Sequence, residues 1–100
     1  MTPTAKESLK KELIQSLKSE KEIKKTMIFG SFLDSEKPND IDVAVFQDSK
    51  ETYLTLALKY RKLIREIIRK IPVDIIPIRE NFSESSFLSE IEAGELIYER

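Results

Sequence analysis

The chain has 100 residues, a net charge of −1, and no cysteine, histidine or tryptophan. These counts exclude disulfides, thiolate nucleophiles, Cys-ligated metal centres and any site that uses histidine as base or ligand. The length, with 40% apolar and 35% charged residues, is typical of one compact soluble domain, which we take as residues 1–100. No run approaches the length of a membrane span and no secretory signal is evident, so we expect a cytoplasmic protein.

The first half of the chain is predicted to form one helix followed by two strands. Thr4 to Glu7 has the spacing of a capping box, and leucines recur behind it at three- and four-residue intervals, which predicts a helix ending near residue 22. The apolar run 27–29 predicts a short buried strand, 34–39 is turn-forming, and the β-branched segment 40–46 predicts a second strand.

The second half repeats the pattern with a longer helix. Asp48 to Glu51 resembles another capping box, and a broad apolar stripe predicts one helix from there to about residue 70, stopped by Pro72. The remaining predicted elements are a strand at 73–78, a helix at 83–92 ending before Gly94, and a short strand at 96–98.

These elements predict an α+β (mixed α/β) fold, with a small mixed sheet flanked by helices. The loop between the first two strands is too short for a crossover, so those strands should be antiparallel. A helix joins the second strand to the third, which allows a parallel pair with a right-handed crossover. Pro77 cannot donate a backbone hydrogen bond and should therefore lie near an edge or strand end. Exposed apolar residues on the first and last helices could serve a homo-oligomer or another protein.

Carboxylates interrupt the predicted strands. Asp40 and Asp42 alternate along the second strand, so they should share one face with Cα atoms about 6.6 Å apart, and a cation between them would relieve their repulsion. Asp74 stands alone in the third strand and could join them, making a magnesium site. Without histidine, Asp74 is also the natural group to accept a proton from an attacking hydroxyl.

A Gly-Ser pair follows the first strand. Gly30 would let a ligand approach the backbone, and exposed amides with the Ser31 hydroxyl could hold a phosphate oxygen. Each feature also has an ordinary explanation: a plain turn at Gly30-Ser31, the last turn residue or a loop cap at Asp40, an edge-strand charge at Asp42, and an edge-strand or lysine-paired charge at Asp74. Their coincidence in one short chain favours a functional site.

Phe29-Gly30-Ser31, Asp40-Ile41-Asp42-Val43 and Val73-Asp74-Ile75 together resemble the signature of the DNA polymerase β-like nucleotidyltransferases, and the length is closest to their minimal (MNT) group. The resemblance implies that Asp40, Asp42 and Asp74 bind two Mg²⁺ and that Gly30 and Ser31 contact the phosphates of a nucleoside triphosphate, with ATP the expected substrate. This chain has Phe32-Leu33-Asp34 where many members have a small residue, a basic residue and glycine. Lys37 is the only basic residue in the loop and is therefore our candidate for a further phosphate contact.

Minimal members are similar to antitoxins whose partner is a HEPN-domain ribonuclease. The resemblance therefore implies transfer of AMP from ATP to a hydroxyl, plausibly a tyrosine, on a HEPN-type partner protein. The alternative is an antitoxin that neutralises by contact and retains a vestigial nucleotide site. A third hypothesis is a nucleic-acid-binding module built on the six basic residues of 59–70. A net charge of −1 does not favour it, and solvated helix faces are the better explanation of that run.

Overall fold

The computed structural model describes residues 1–79, 81 and 85–100, without the side chains of 85–87. Its helices and strands alternate along the chain much as the sequence predicts. In chain order, these elements are α1 (Pro3–Leu17), β1 (Ile23–Phe29), α2 (Ser31–Asp34), β2 (Ile41–Gln47), α3 (Tyr53–Leu63), α4 (Arg65–Ile68), β3 (Val73–Arg79), α5 (Ser85–Glu92) and β4 (Glu95–Glu99).

The four strands form one mixed sheet in the order β3-β2-β1-β4. β1 is antiparallel to β2 and to β4, whereas β2 and β3 are parallel, as the connection lengths predict. The α+β class with a small mixed sheet is therefore confirmed. β3 is an edge strand, so Pro77 lies where its missing N–H costs least.

Each face of the sheet packs against its own set of helices. One face, which we call the α1/α3 face, buries Ile41, Val43 and Val45 of β2 against apolar residues of α1, α3 and α4. The other, the α5 face, buries Ala44 and Phe46 together with residues of β1, β3 and α5. Because strand residues alternate between faces, every polar residue in β2 can be assigned to one face by its position.

The first helix differs from its prediction at both ends. The cap is Thr2, whose Oγ1 accepts from the Ala5 N–H at 3.0 Å, so the predicted capping box at Thr4 is wrong. The helix ends at Leu17 instead of near residue 22, because residues 18–22 are polar and have no apolar side chain to bury on the sheet. β1 consequently begins at the fully buried Ile23, four residues before the predicted strand.

The second long helix is shorter than predicted and broken. Thr52 caps α3 by accepting from the Thr55 N–H, so the predicted capping box at Asp48 is also wrong. The Asp48 N–H bonds the Glu22 carbonyl beside the sheet instead. Ile64 interrupts the helix with φ −106° and ψ 17°, and its side chain is fully buried, which separates α3 from α4.

The C-terminal elements largely agree with the prediction. α5 ends at Glu92 before Gly94, and β4 pairs with β1, while the predicted start of this helix at residue 83 lies outside the described residues. No described helix has the length and apolarity that a membrane crossing requires. The expectation of exposed apolar residues on the first and last helices is wrong for the described side chains: Leu9, Leu13 and Leu17 of α1 and Ile91 of α5 are buried. The exposed leucines of the described helices lie on α3.

Candidate active site

Three carboxylates converge where β2 and β3 begin. Asp42 is the register neighbour of Asp74 across the parallel β2–β3 pair, and Asp40 lies immediately before β2. One carboxylate oxygen from each of the three lies within 4.8 Å of the others. Asp40 and Asp42 are half-buried, whereas Asp74 is exposed and can meet an incoming group.

Strand alternation explains why these charges do not fall in the main core. Ile41 and Val43 point into the α1/α3 face, so Asp42 between them points to the α5 face. The same alternation turns Asp74 outward between Val73 and Ile75. The sequence prediction that Asp40 and Asp42 lie on one face beside Asp74 is consistent with this geometry.

The cluster is electrostatically strained around Asp42. Burial raises the pKa of the Asp42 carboxyl above its usual value, and the negative charges of Asp40 and Asp74 and a hydrogen bond with Asp74 raise it further. Glu90 of α5 adds a smaller effect of the same sign. Sequence reasoning did not single out Glu90, because a glutamate on a helix carries no signal until the helix is placed over the sheet.

Gly30 touches the cluster from the end of β1. Its φ is +80°, a conformation that glycine adopts readily, and an ideal Cβ built there would lie 2.4 Å from Oδ2 of Asp42. The register pairs Phe29 with Asp42, so the glycine turn follows directly after the residue opposite Asp42. Ser31, exposed, is the first residue of α2.

The two residues after Ser31 pack into the hydrophobic core. Phe32 is fully buried in the α1/α3 face, and Leu33 packs against the same cluster, while Asp34 is exposed. The turn predicted over 34–39 begins one residue later, because Asp34 is the last residue of α2. Packing in the core therefore explains why Phe32 stands where many nucleotidyltransferases have a small residue.

Lys37 lies in the loop between α2 and β2. Its side chain is exposed, and its backbone N–H donates to Ser35 Oγ at 3.1 Å. It lines an open groove with the start of α1, and the described lining of that groove includes none of the three aspartates. The structure therefore brings Gly30 into the carboxylate cluster and leaves Lys37 on an adjoining loop.

The basic run 59–70 is partly neutralised within the chain. Lys59 pairs with Glu20 and Glu22, and Lys70 pairs with Glu12 at 2.7 Å. Arg69 contacts Glu66 one turn away. These pairs reduce the positive field that a nucleic-acid-binding surface needs, so the geometry gives that hypothesis no support.

The sequence model of the family described as "Polymerase beta, Nucleotidyltransferase" matches residues 11–100. The match spans the glycine turn, the paired aspartates and the third aspartate. The chain belongs to this nucleotidyltransferase family. The resemblance that the sequence motifs predict is thereby confirmed.

A solved structure has the same fold. It is described as tri-AMPylated Shewanella oneidensis HEPN toxin in complex with MNT antitoxin, and the matching chain superposes with a TM-score of 0.70 and 15% identity. The match covers 95% of this chain and 73% of that chain. At this identity the likeness concerns the fold. A search of curated protein sequences gave no match for this nucleotidyltransferase-family chain.

The donor set of the cluster suits a hard divalent cation. All three groups are carboxylates, the ligands that Mg²⁺ prefers, and their oxygens are close enough for one ion to contact more than one of them. Burial, followed by repulsion from Asp40 and Asp74, raises the pKa of Asp42, and a bound cation would relieve the repulsion. Asp40, Asp42 and Asp74 therefore fit the metal site that a nucleotidyltransferase needs.

Proposed function

We propose that this chain is a Mg²⁺-dependent nucleotidyltransferase that transfers AMP from ATP to a hydroxyl of a HEPN-type partner protein. The observation that carries the proposal is the convergence of Asp40, Asp42 and Asp74 within 4.8 Å beside the glycine turn. The proposal treats residues 1–100 as one minimal domain, and the partner class is supported by the MNT–HEPN complex that shares the fold.

The chain's own residues have distinct parts in this proposal. Asp40, Asp42 and Asp74 would hold two Mg²⁺, which neutralise phosphate charge and favour attack at the α-phosphorus. Gly30 leaves the space beside Asp42 open, and Ser31 offers a hydroxyl and a backbone N–H at the start of α2 for phosphate oxygens. Lys37 is proposed as a further phosphate contact from the adjoining loop.

The transfer of AMP needs no reactant other than ATP and the acceptor hydroxyl. The acceptor oxygen forms a bond to the α-phosphorus of ATP, the bond from that phosphorus to the β-phosphate oxygen breaks, and pyrophosphate leaves. Asp74 accepts the hydroxyl proton in this proposal, since it is the exposed member of the cluster and belongs to an edge strand. Such a reaction depends on positioning and charge stabilisation, which carboxylates and backbone amides supply.

The test is a transfer assay with each α-labelled nucleoside triphosphate, Mg²⁺ and a HEPN-domain protein as the acceptor. Asp42→Asn, which preserves shape, should reduce transfer at least about 100-fold. The matched control is Asp48→Asn, because Asp48 is an exposed aspartate at the opposite end of β2. We expect label on the partner with the wild type and the control, and ATP as the preferred donor. Undiminished transfer by folded Asp42→Asn would contradict the proposal.

A second candidate is a binding antitoxin with a vestigial nucleotide site. The burial of Phe32 favours it, because the position that follows Ser31 is committed to the core and offers nothing to a phosphate. This candidate predicts that Asp42→Asn still forms the complex and neutralises the partner, with no label transferred by any protein. The assay above, combined with a binding measurement on the same samples, separates the two.

A further inference from the structure

Phe29, Asp42 and Asp74 form one row across the sheet. The register pairs Phe29 of β1 with Asp42 of β2, and Asp42 with Asp74 of β3. The row ends at Asp74, because β3 is an edge strand of the described sheet. A strand added beside β3 would place its own residue opposite Asp74, with Cα atoms about 4.5–5.5 Å apart and the side chain on the face that carries the carboxylates.

The open edge of β3 presents backbone hydrogen-bonding groups at Ile75. Successive residues of a strand turn their N–H and carbonyl to opposite sides. The Pro72 carbonyl accepts from the Ile41 N–H on the β2 side, whereas the Val73 carbonyl accepts from Arg61 Nη1 at 3.3 Å. Ile75 therefore turns its N–H and carbonyl away from β2, as Val73 does, while its side chain is buried in the core.

Two residues limit how a strand can pair with this edge. Pro77 faces the same side and has no N–H, so it protects the second half of β3 against pairing and leaves the half that holds Asp74. Arg61 already occupies the Val73 carbonyl. A parallel strand would need that carbonyl for the residue opposite Asp74. An antiparallel strand does not, because one of its residues exchanges both hydrogen bonds with Ile75 and the next faces Asp74 in a non-hydrogen-bonded pair, where side chains are closest.

We propose that the acceptor presents its hydroxyl residue in an extended segment that pairs antiparallel with the open edge of β3, directly opposite Asp74. The inference rests on the proposed function, since it specifies how the acceptor of that transfer is held. The row across the sheet then continues from Asp42 through Asp74 to the hydroxyl. A hydroxyl residue in the middle of a helix does not fit, because its backbone N–H and carbonyl are already bonded within the helix.

The same register predicts a sequence preference in the acceptor. The residue two positions before the hydroxyl lies beside Ile76, whose half-buried side chain packs on the α5 face. We therefore expect that residue to be apolar. The pairing uses the N–H and carbonyl of Ile75 and the carbonyl of Pro77, so it supplies few hydrogen bonds. Such a contact positions the hydroxyl and releases it after transfer.

The test is amide hydrogen exchange, measured by NMR on the wild-type chain with Mg²⁺ and without nucleotide, free and bound to the HEPN-domain protein that accepts the label. The Ile75 amide should exchange at least about 10-fold more slowly in the complex. Two amides are matched controls. Ile76 N–H faces β2 and should be slow in both states. Glu99 N–H faces the open edge of β4, because the next amide, Arg100 N–H, bonds the Lys24 carbonyl of β1, and it should stay fast in both.

A change in the acceptor tests the register by its effect on transfer. Mass spectrometry locates the labelled residue, and aspartate two positions before it should lower kcat/KM for the acceptor at least about 10-fold. Aspartate one position before it is the control, because that side chain points to the other face of the added strand and should have less effect.

The outcomes separate this inference from the function on which it rests. Transfer of label with unchanged Ile75 exchange, or with protection of Glu99 instead, would overturn the pairing and leave the transfer reaction standing. A labelled hydroxyl in a helix that stays folded in the complex would do the same. The absence of label on any acceptor would overturn the proposed function, and this inference with it.

Discussion

The backbone at Gly30 and the carboxylate of Asp42 are so close that a single methyl group would close the space between them. The ideal Cβ position at residue 30 lies 2.4 Å from Oδ2 and 3.4 Å from Cγ of Asp42. The turn therefore positions a cluster residue as well as ending a strand. The glycine turn and the aspartate pair, which are separate motifs in the sequence, are therefore in close contact in the fold.

Gly30→Ala should both destabilise the fold and impair the site. Alanine at φ +80° and ψ −160° costs about 1–3 kcal/mol of backbone strain, and its methyl group must push the Asp42 carboxylate aside. We expect a loss of about 2–4 kcal/mol in the free energy of unfolding and at least a 10-fold loss of nucleotide transfer. Urea denaturation gives the first quantity and the transfer assay the second.

A double-mutant cycle isolates the contact with the carboxylate. In an Asp42→Ala background the nearest remaining atom to the added methyl is Cβ of residue 42, at an ordinary 3.7 Å. Gly30→Ala should then cost only its backbone strain, about 1–3 kcal/mol. Equal costs of Gly30→Ala in the two backgrounds would mean that the methyl group and the carboxylate do not collide.

Asp42→Asn should stabilise the metal-free protein while abolishing transfer. Burial and the charges of Asp40 and Asp74 raise the pKa of Asp42, so at neutral pH its ionised form opposes folding. An amide removes that charge, and its N–H can donate to the Asp74 carboxylate. We expect the melting temperature in EDTA to rise by about 3–6 °C, corresponding to about 0.5–1 kcal/mol.

Mg²⁺ should reverse the order of the melting temperatures of the wild type and Asp42→Asn. The wild type should gain thermal stability when Mg²⁺ replaces EDTA, whereas Asp42→Asn should gain less because it has lost a ligand. Scanning calorimetry at fixed ionic strength makes the comparison. If the wild type melts at the same temperature with and without Mg²⁺, the three carboxylates do not form a metal site.

The carboxylate cluster could be predicted from the sequence more accurately than the ends of the surrounding helices. Strand alternation and a lone aspartate in an apolar strand are local signals, so the convergence of Asp42 and Asp74 could be inferred once a parallel pair was assumed. Helix ends depend on which of several candidate caps accepts the first free N–H groups. Thr2 accepts from Ala5 and Thr52 from Thr55, and no spacing rule excluded Thr4 or Asp48.

Two further features required the folded chain. At Ile64 the backbone leaves the helical conformation while the side chain is fully buried in the core. The apolar pattern of the sequence continues through this residue, so it does not predict the break. The partial neutralisation of the basic run depends on pairs such as Lys70 with Glu12, which are 58 residues apart. Charge counts along a sequence cannot reveal such long-range pairs.

Tyr60→Phe should destabilise the protein in a pH-dependent way. The buried Tyr60 hydroxyl donates to Glu22 Oε2 at 2.9 Å. Burial acts to raise the pKa of Glu22, but hydrogen bonds from Lys59 and Tyr60 and the charge of Lys59 hold it below its usual 4.5. We expect a loss of about 1–2 kcal/mol in the free energy of unfolding at neutral pH.

The pH window follows from the direction of that shift. Because the pKa of Glu22 is lower in the folded state, its contribution is present above about pH 4.5 and is lost as the pH falls through the folded-state value. The cost of Tyr60→Phe should therefore shrink in acid, where the acceptor is a neutral carboxyl. Urea denaturation at neutral pH and at acidic pH measures the difference, and a cost that grows in acid would show that the Glu22 carboxylate is not the relevant acceptor.

Lys37→Ala tests the proposed phosphate contact that lies outside the cluster. Lys37 is exposed and three residues before Asp40, so its removal should not affect the fold but should remove one positive charge near the proposed nucleotide site. We expect the KM for ATP to rise about 5- to 10-fold with little change in kcat, since a charge on the triphosphate contributes mainly to ground-state binding. Lys50→Ala, an exposed loop lysine beyond the other end of β2, is the control and should leave KM unchanged. Equal KM values for the wild type and both variants would remove Lys37 from the site and leave the phosphates to Gly30 and Ser31.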